Sequence, residues 1–390
     1  MSEYQYYEFL ALDRPLTSEQ LETVRALSTR ARITPTSFVN EYHFGDFRGE
    51  PRRLMERFYD AHLYFANWGT RRVMLRMPSA LLPSRTVEPY RSDDSLEVWT
   101  RDGHTLLHLF HDPEEGGDWE ESDEIPLAAV VGIRDELSSG DLRPLYLTWL
   151  VGLAAWELWG EDEEEFQVEQ EPPVPPGLTQ LTGPQRALAD FLKLDADLLA
   201  AAAEDSPVPD RSPETDTGLS QWIAALPTAE KDTLLLRSAQ GTAPRLGPEL
   251  LARYRKATLP PASVSSGRRS AADLLDAAHT LRTRREKREA EERAEAAERH
   301  LRAATEKHEA HLAALAEDPE KVWRDVDRLV AVKKPAEYDT AVALLTDLRE
   351  LAQRAGACAD FGQRAATLRE RHRGKPALMR RFDAAGMPDS

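Results

Sequence analysis

Cysteine is almost absent from this sequence, with Cys358 the only one among 390 residues. A single thiol excludes an intramolecular disulfide and any zinc site built from several cysteines of one chain. The longest nearly apolar run, residues 144–156, is shorter than the roughly 20 residues that a membrane-spanning helix needs. The opening residues include Glu3 and Glu8 and no apolar run, so no signal peptide is visible. The sequence therefore predicts a cytoplasmic, soluble protein without a membrane partner.

Catalytic motifs are missing as well. The chain has no glycine-rich loop of the kind that cradles phosphate and no nucleophile elbow, and it shows no strong pairing of a base with a nucleophile. A non-enzymatic function without a cofactor is therefore expected.

One group of side chains has the chemistry of a metal site. His43, Asp46, Asp60 and His62 place two histidines and two carboxylates within 20 residues, a set that suits a metal-dependent hydrolase. In a strand, however, His43 and Asp46 would face opposite sides unless a bulge near Gly45 intervenes. Structural roles are therefore favoured, and the hydrolase stays the weakest of three functional alternatives.

Charge is unevenly distributed along a chain whose formal net charge is −18. Seven acidic residues fall within 114–124 and seven more within 161–171, whereas the end of the chain is basic. Global acidity disfavours unspecific binding of nucleic acid, but a local basic tail could still bind phosphate. The candidate nucleic-acid contacts in this tail are Arg369, Arg371, Arg373 and Lys375.

Aromatic residues concentrate in the stretch 38–68, which holds nine of the 29 in the chain. Because aromatic side chains bury the largest area, this stretch is predicted to form the nucleus of a core. Trp68, Arg71, Arg72 and Arg76 lie near a turn and could clamp a base or a phosphate, although hairpin arginines are more often solvated.

Strand patterns dominate the first 110 residues. Strands are predicted over 4–11, 37–47, 62–67 and 71–77, and Asp102-Gly103 predicts a hairpin turn. That turn pairs Trp99 with Leu106 and Glu97 with His108. It also separates His104, His108 and His111, so that they cannot share one ion. With a capped helix after Thr17 and a buried helix over 143–159, the fold class is α+β for residues 1–165, around a mostly antiparallel sheet.

Helical patterns follow, divided by proline-rich segments. Pro172 to Pro176 reads as a stiff linker, after which a small helical bundle is predicted over 179–258. Residues 271–316 contain neither proline nor glycine and predict one long charged helix. A C-terminal helical hairpin with a basic tail is predicted over 318–382.

The long helix carries a weak apolar seam. Its spacings of three and four residues resemble a coiled coil, but four of its eight positions are alanine and one is histidine. Such a seam needs a partner helix, and the partner-binding candidates are Leu301, Leu312 and Leu315. The eight positions are Ala290, Ala294, Ala297, Leu301, Ala304, His308, Leu312 and Leu315.

Two resemblances bear on function. The Tyr6-Tyr7-Glu8-Phe9 opening, the segment 13–16 and the segment 61–69 resemble an uncharacterised bacterial family of the actinobacterial type, which implies no established activity. Residues 338–382 resemble the closing helices of bacterial SWIM-type zinc-finger proteins. The zinc ligands are absent, so this resemblance implies only a shared partner surface.

These observations favour a multidomain adaptor or scaffold that acts through protein–protein contacts. The first alternative is a component of a bacterial nucleic-acid-handling complex, suggested by the basic tail and the SWIM-like ending. The second is the metal-dependent hydrolase.

Overall fold

The computed structural model describes residues 3–113, 125–159, 170–208, 214–240, 246–258 and 269–387. The chain forms two compact units, Met1–Arg285 and Glu286–Ser390. Both acidic runs fall outside the described residues, except for Glu171, and so does most of the segment 260–270. No helix in the described ranges is long and apolar enough to cross a membrane.

The N-terminal unit is built on one antiparallel sheet of seven strands, in the order β2-β3-β1-β4-β5-β7-β6. The predicted α+β class with an antiparallel sheet is therefore confirmed. The strands are β1 (Gln5–Leu10), β2 (Arg32–Ile33), β3 (Ser37–Tyr42), β4 (Ala61–Ala66), β5 (Arg71–Pro78), β6 (Leu96–Arg101) and β7 (His104–His111).

The hairpin between β6 and β7 has the predicted register. Trp99 lies opposite Leu106, and Glu97 lies opposite His108. Asp102 and Gly103 have φ of 47° and 75°, as a two-residue turn of this hand requires.

Helices lie between and after the strands, and some of them cover the two faces of the sheet. They are α1 (Ser18–Arg25), α2 (Pro51–Arg57), α3 (Ser84–Val87), α4 (Leu127–Val130), α5 (Ile133–Ser138), α6 (Arg143–Trp159), α7 (Gly183–Phe191), α8 (Ala196–Glu204), α9 (Glu214–Ala225), α10 (Thr228–Ala239) and α11 (Leu246–Thr258). Helix α1 begins with the predicted capping box between Thr17 and Gln20. Helix α6 is buried over residues 143–153, as its continuous apolar sequence predicts.

The first face of the sheet carries the larger core. Leu63, Leu75 and Leu107 point from the strands into a cluster with α4, α5 and α6, which also includes α7, α8 and residues 271–278. The segment that has the composition of a linker lies against this core, because Pro172 and Pro175 are buried and the Tyr90 hydroxyl donates to the Pro173 carbonyl at 2.8 Å. The boundary predicted at Pro172 to Pro176 thus lies inside the first unit.

The second face carries the aromatic core. Phe9, Phe38, Tyr59 and Tyr64 are buried there under α1 and α2. Five of the nine aromatic residues of the stretch 38–68 are buried, whereas Phe44, in the loop after β3, is 78% exposed and Trp68 is exposed too.

The long helix α12 (Ala271–Glu317) has 47 residues and continues from the first unit into the second. The C-terminal unit adds α13 (Pro319–Val332), α14 (Pro335–Arg354), α15 (Cys358–Arg371) and α16 (Pro376–Ala384). Each of these four helices contributes to one core, formed by Val326, Leu345, Phe361 and Leu378 with their neighbours. Helices α13 and α14 form a hairpin in which Lys333, with φ of 61°, ends α13 and Pro335 starts α14.

Candidate functional site

The four proposed metal ligands do not form one site. Asp60 is fully buried, and its side chain accepts hydrogen bonds from the backbone amides of Leu12 and Asp13 at 2.7 and 2.9 Å. His62 is buried and its Nδ1 lies 2.9 Å from the Glu8 carbonyl oxygen, which can only accept. Among the described residues, no group of three His, Cys, Asp or Glu side chains is placed to hold a metal ion.

The other two candidates lie in the exposed loop that follows β3. The ring of His43 lies 5.3 Å from that of Tyr4, and Asp46 accepts a hydrogen bond from Gln5 Nε2 at 3.1 Å. Both therefore have partners that hold the loop against the sheet.

Asp60 belongs instead to a buried network of charges that the sequence did not indicate. Arg76 donates to Asp60 through Nε and Nη2 at 3.2 and 2.7 Å. Arg134, on α5, is 1% exposed and donates both Nη atoms to Asp13 at 2.8 and 2.5 Å, with its Nε on the Arg76 carbonyl at 2.8 Å. Two arginines and two aspartates thus compensate one another and tie the end of β1 to α5.

The histidines of β7 have separate surroundings. His108 Nδ1 lies 3.4 Å from Glu97 Oε2, consistent with the expected cross-strand pair, and burial lowers the pKa of His108. His104 Nδ1 lies 2.9 Å from the Asp102 carbonyl oxygen. Burial also lowers the pKa of His111.

The arginines near the turn at Trp68 do not converge on a common ligand position. Arg72 pairs with Asp112 at 2.8 Å and lies over the ring of Tyr64, whereas Arg76 is committed to Asp60. Arg71 lies over the ring of Phe191, and Trp68 Nε1 donates to Thr70 Oγ1 at 3.1 Å. This geometry does not bring together the stacking residue and the cations that a base clamp needs.

The basic residues near the C-terminus contact groups of their own unit. Arg371 lies 3.3 Å from Asp327, Arg373 lies 2.8 Å from Glu370, and Lys375 donates to the Val330 carbonyl at 2.8 Å. Arg369 pairs with Asp383. The positive charge of the tail is therefore largely offset by neighbouring carboxylates.

Helix α12 is anchored at its start within the N-terminal unit. Ala271, Leu274 and Ala278 are buried in the larger core. One turn further, Arg282 pairs with Asp195 at 3.0 Å and Arg285 pairs with Asp197 at 2.9 Å.

The end of α12 is anchored within the C-terminal unit. Leu312 is 1% exposed, and Leu315 packs against the core of α13 to α16. Three polar pairs reinforce this contact with α14: His308 with Glu350 at 2.9 Å, His311 with Asp347 at 3.0 Å and Glu309 with Arg354 at 2.6 Å. Two of the three leucines proposed for partner binding therefore have intramolecular contacts.

Between these anchors every residue of α12 from 290 to 307 is exposed, and we call this part the exposed span. The predicted seam positions 290, 294, 297, 301 and 304 lie within it, on one side of the helix. Leu301 stands out because 67% of its surface is accessible to solvent. Among the positions predicted from the sequence, those in the exposed span form an apolar face that is open to solvent and to a partner.

Comparison with known proteins gives no further guide, because no family model, curated protein or solved structure matches the chain.

Proposed function

We propose that this protein is a non-enzymatic cytoplasmic adaptor, and that the exposed span of α12 presents its apolar seam to a helix of a partner protein. The observation that carries the proposal is the solvent exposure of Leu301 and its alanine neighbours in the middle of a helix whose two ends are fixed by packing.

The anchors support this function physically. An isolated helix loses conformational entropy when it binds a partner, and that loss weakens binding. In α12, burial of Leu274 at one end and Leu312 at the other holds the backbone helical before any partner arrives. The exposed span is therefore preorganised, which compensates for the small area that its alanines can bury.

The composition of the seam favours a helical partner. Alanine lets two helix backbones approach closely, and a single leucine can insert between the side chains of a facing helix. Charged residues flank the seam on both sides, including Glu298 and Arg302, which pair with each other at 2.5 Å. Charges at such flanking positions select partners and orientation rather than adding much affinity.

Site-specific crosslinking tests this proposal. A photoreactive amino acid replaces Leu301 in the full-length protein, expressed in the cells that make it naturally. The control places the same amino acid at Ala303, which is also exposed and lies about 160° away around the helix, since a turn has 3.6 residues. We expect a defined protein adduct from position 301 and none from position 303.

Two results would contradict the proposal. One is the same set of adducts from both positions, which indicates random collision. The other is an adduct from position 301 that contains only a second copy of this chain, which makes the seam a self-association surface.

A further inference from the structure

We propose that a cleft at one end of the sheet in the N-terminal unit binds a small organic anion whose carboxylate or phosphate pairs with Arg14 and Arg57. The cleft has a volume of about 450 Å³ and lies between α1, the end of α2 and the β6–β7 turn. This site is independent of the exposed span of α12 and of the adaptor function.

The cations and anions that line the cleft differ in how far they are already paired. Arg76 is committed to Asp60, and Glu56 lies 3.9 Å from Arg52 and accepts from Trp99 Nε1 at 3.0 Å. Asp102 lies 3.6 Å from Arg101.

Arg14 and Arg57 are the lining cations left over. Both are exposed, and neither has a carboxylate partner among the described residues. Glu19 is the one lining acid that also has no oppositely charged partner among the described residues. The unpaired side chains of the cleft, two arginines and one glutamate, therefore carry a net positive charge. Two guanidinium groups without a carboxylate are what an anionic ligand requires, because each offers several donors in a planar fork.

Phe58 is the one apolar side chain in a lining that is otherwise polar or charged, and it is largely buried. The guanidinium of Arg57 lies over the ring of Phe58, 5.0 Å from its centroid. A ligand ring can therefore contact Phe58 while its anionic group reaches the arginines. Thr17 adds a donor, since its hydroxyl oxygen accepts from the Gln20 amide and its own hydrogen remains available.

The remaining acid of the wall limits the ligand's charge. Glu19 would repel the extra negative charges of a polyphosphate or a nucleic-acid strand. The ligand class that fits is a small ring compound with a single carboxylate or phosphate group.

Calorimetric titration of the full-length protein tests the site with two probes, benzoate and phenyl phosphate, which distinguish a carboxylate from a phosphate. Phenol and inorganic phosphate serve as partial probes, one lacking the anion and the other lacking the ring. We expect saturable binding of at least one complete probe, with a Kd between about 10 μM and 1 mM, and weaker binding of both partial probes.

The deciding variant is the double change Arg14→Gln and Arg57→Gln. Both side chains are exposed, so the fold should tolerate the change. We expect at least a tenfold loss of affinity for the better probe. Arg25→Gln is the matched control, because Arg25 is an exposed arginine of α1 outside the cleft, and its affinity should equal that of the wild type.

The proposal fails if neither complete probe gives saturable heat at about 10 mM, where binding of this class would be visible. It also fails if the double variant binds as tightly as the control. Should the double variant melt early, Arg14→Gln alone decides by the same comparison.

Discussion

At the residue scale, the N-terminal unit depends on buried charges that compensate one another. Arg134 and Asp60 are each about 1% exposed, yet neither is isolated, since Asp13 and Arg76 complete the set. A buried charge is tolerated only when its partners replace the lost hydration. The loss of one member therefore costs more than the hydrogen bonds that it makes.

The first prediction concerns that cost. Arg134→Met should lower the free energy of unfolding by about 3 kcal/mol. This value is at the lower end of the range for breaking a buried ion pair, because Asp13 is partly exposed. Arg72→Gln, which breaks the exposed pair with Asp112, should cost less than about 1 kcal/mol. Urea denaturation of the three proteins measures both values.

A double variant separates the charge effect from packing. Adding Asp13→Asn to Arg134→Met removes the carboxylate that has lost Arg134 and should restore part of the lost stability. Equal losses of unfolding free energy in Arg134→Met and Arg72→Gln would show that the buried network stabilises the fold no more than the exposed pair does.

The second prediction follows from His62. Burial lowers the pKa of His62 to about 3, against an ordinary value of 6.5, and the ring stacks on Phe9 with centroids 4.0 Å apart. Above the unfolded pKa both states are neutral and pH has no effect through this group. Below the unfolded pKa, His62 binds a proton in the unfolded state but not in the folded state. Stability therefore falls as pH drops from 6.5 toward 3.

Each such histidine contributes a slope of at most about 1.4 kcal/mol per pH unit. His62→Leu removes one titrating group, so the decline in unfolding free energy between about pH 6.5 and about pH 5 should be shallower than in the wild type. Chemical denaturation at both pH values gives the two slopes. Identical slopes would mean that His62 is protonated in the folded protein as readily as in the unfolded one.

At the element scale, α12 combines two anchored ends with an exposed middle, and its leucines differ accordingly. Leu312 is 1% exposed, whereas Leu301 is 67% exposed. The same residue type on the same helix thus has a structural role at one position and is available for binding at the other.

The third prediction compares these two leucines. Leu312→Ala should destabilise the C-terminal unit by about 2–5 kcal/mol, because it leaves a cavity. Leu301→Ala should change stability by no more than about 0.5 kcal/mol, as exposed substitutions do. Hydrogen exchange of the amides of α13 and α14 reports the local effect, and similar protection in the two variants would contradict the assignment.

The fourth prediction concerns the helix in isolation. A peptide of residues 271–317 should be a partly helical monomer at micromolar concentration, because alanine buries too little area for a stable coiled coil. The control peptide carries leucine at 294, 297 and 304 and should dimerise. A dimer of the unmodified peptide, seen by sedimentation, would turn the seam into a self-association element.

At the scale of the whole molecule, the core of the first unit continues past the proline-rich segment. Glu171 binds Arg269 through two hydrogen bonds of 3.1 Å, and the backbones of Gln170 and Ser270 form a bridge. These contacts join parts of the chain separated by about 100 positions. Leu188, Phe191 and Leu274 complete the apolar cluster below the sheet.

The fifth prediction tests this continuity by truncation. A fragment of residues 1–171 should aggregate or melt without cooperativity, since removing Leu188, Phe191 and Leu274 exposes the larger core. A fragment of residues 1–285 retains the whole core and should melt in one cooperative transition. A cooperative melt of the shorter fragment would place the boundary at the prolines instead.

The local elements, and the pairing of neighbouring strands, follow from short stretches of the amino-acid sequence. Alternating apolar residues and Asp102-Gly103 specified the β6–β7 hairpin, and Thr17 with Gln20 specified the start of α1. The absence of proline and glycine specified the long helix α12. These features depend on backbone preferences within a few residues, which a sequence displays directly.

Which charges pair, and which apolar residues stay exposed, depends on the tertiary fold. Arg134 and Asp13 are 121 positions apart, so no spacing rule could link them. Leu301 and Leu312 follow the same helical pattern, and burial separates them only because α14 covers the end of α12 and not its middle. The proline-rich segment is typical of linkers by composition, yet it lies on the core because Tyr90, Glu171 and Arg269 hold it there. Each of these outcomes depends on distant partners, and that dependence is what a single sequence does not display.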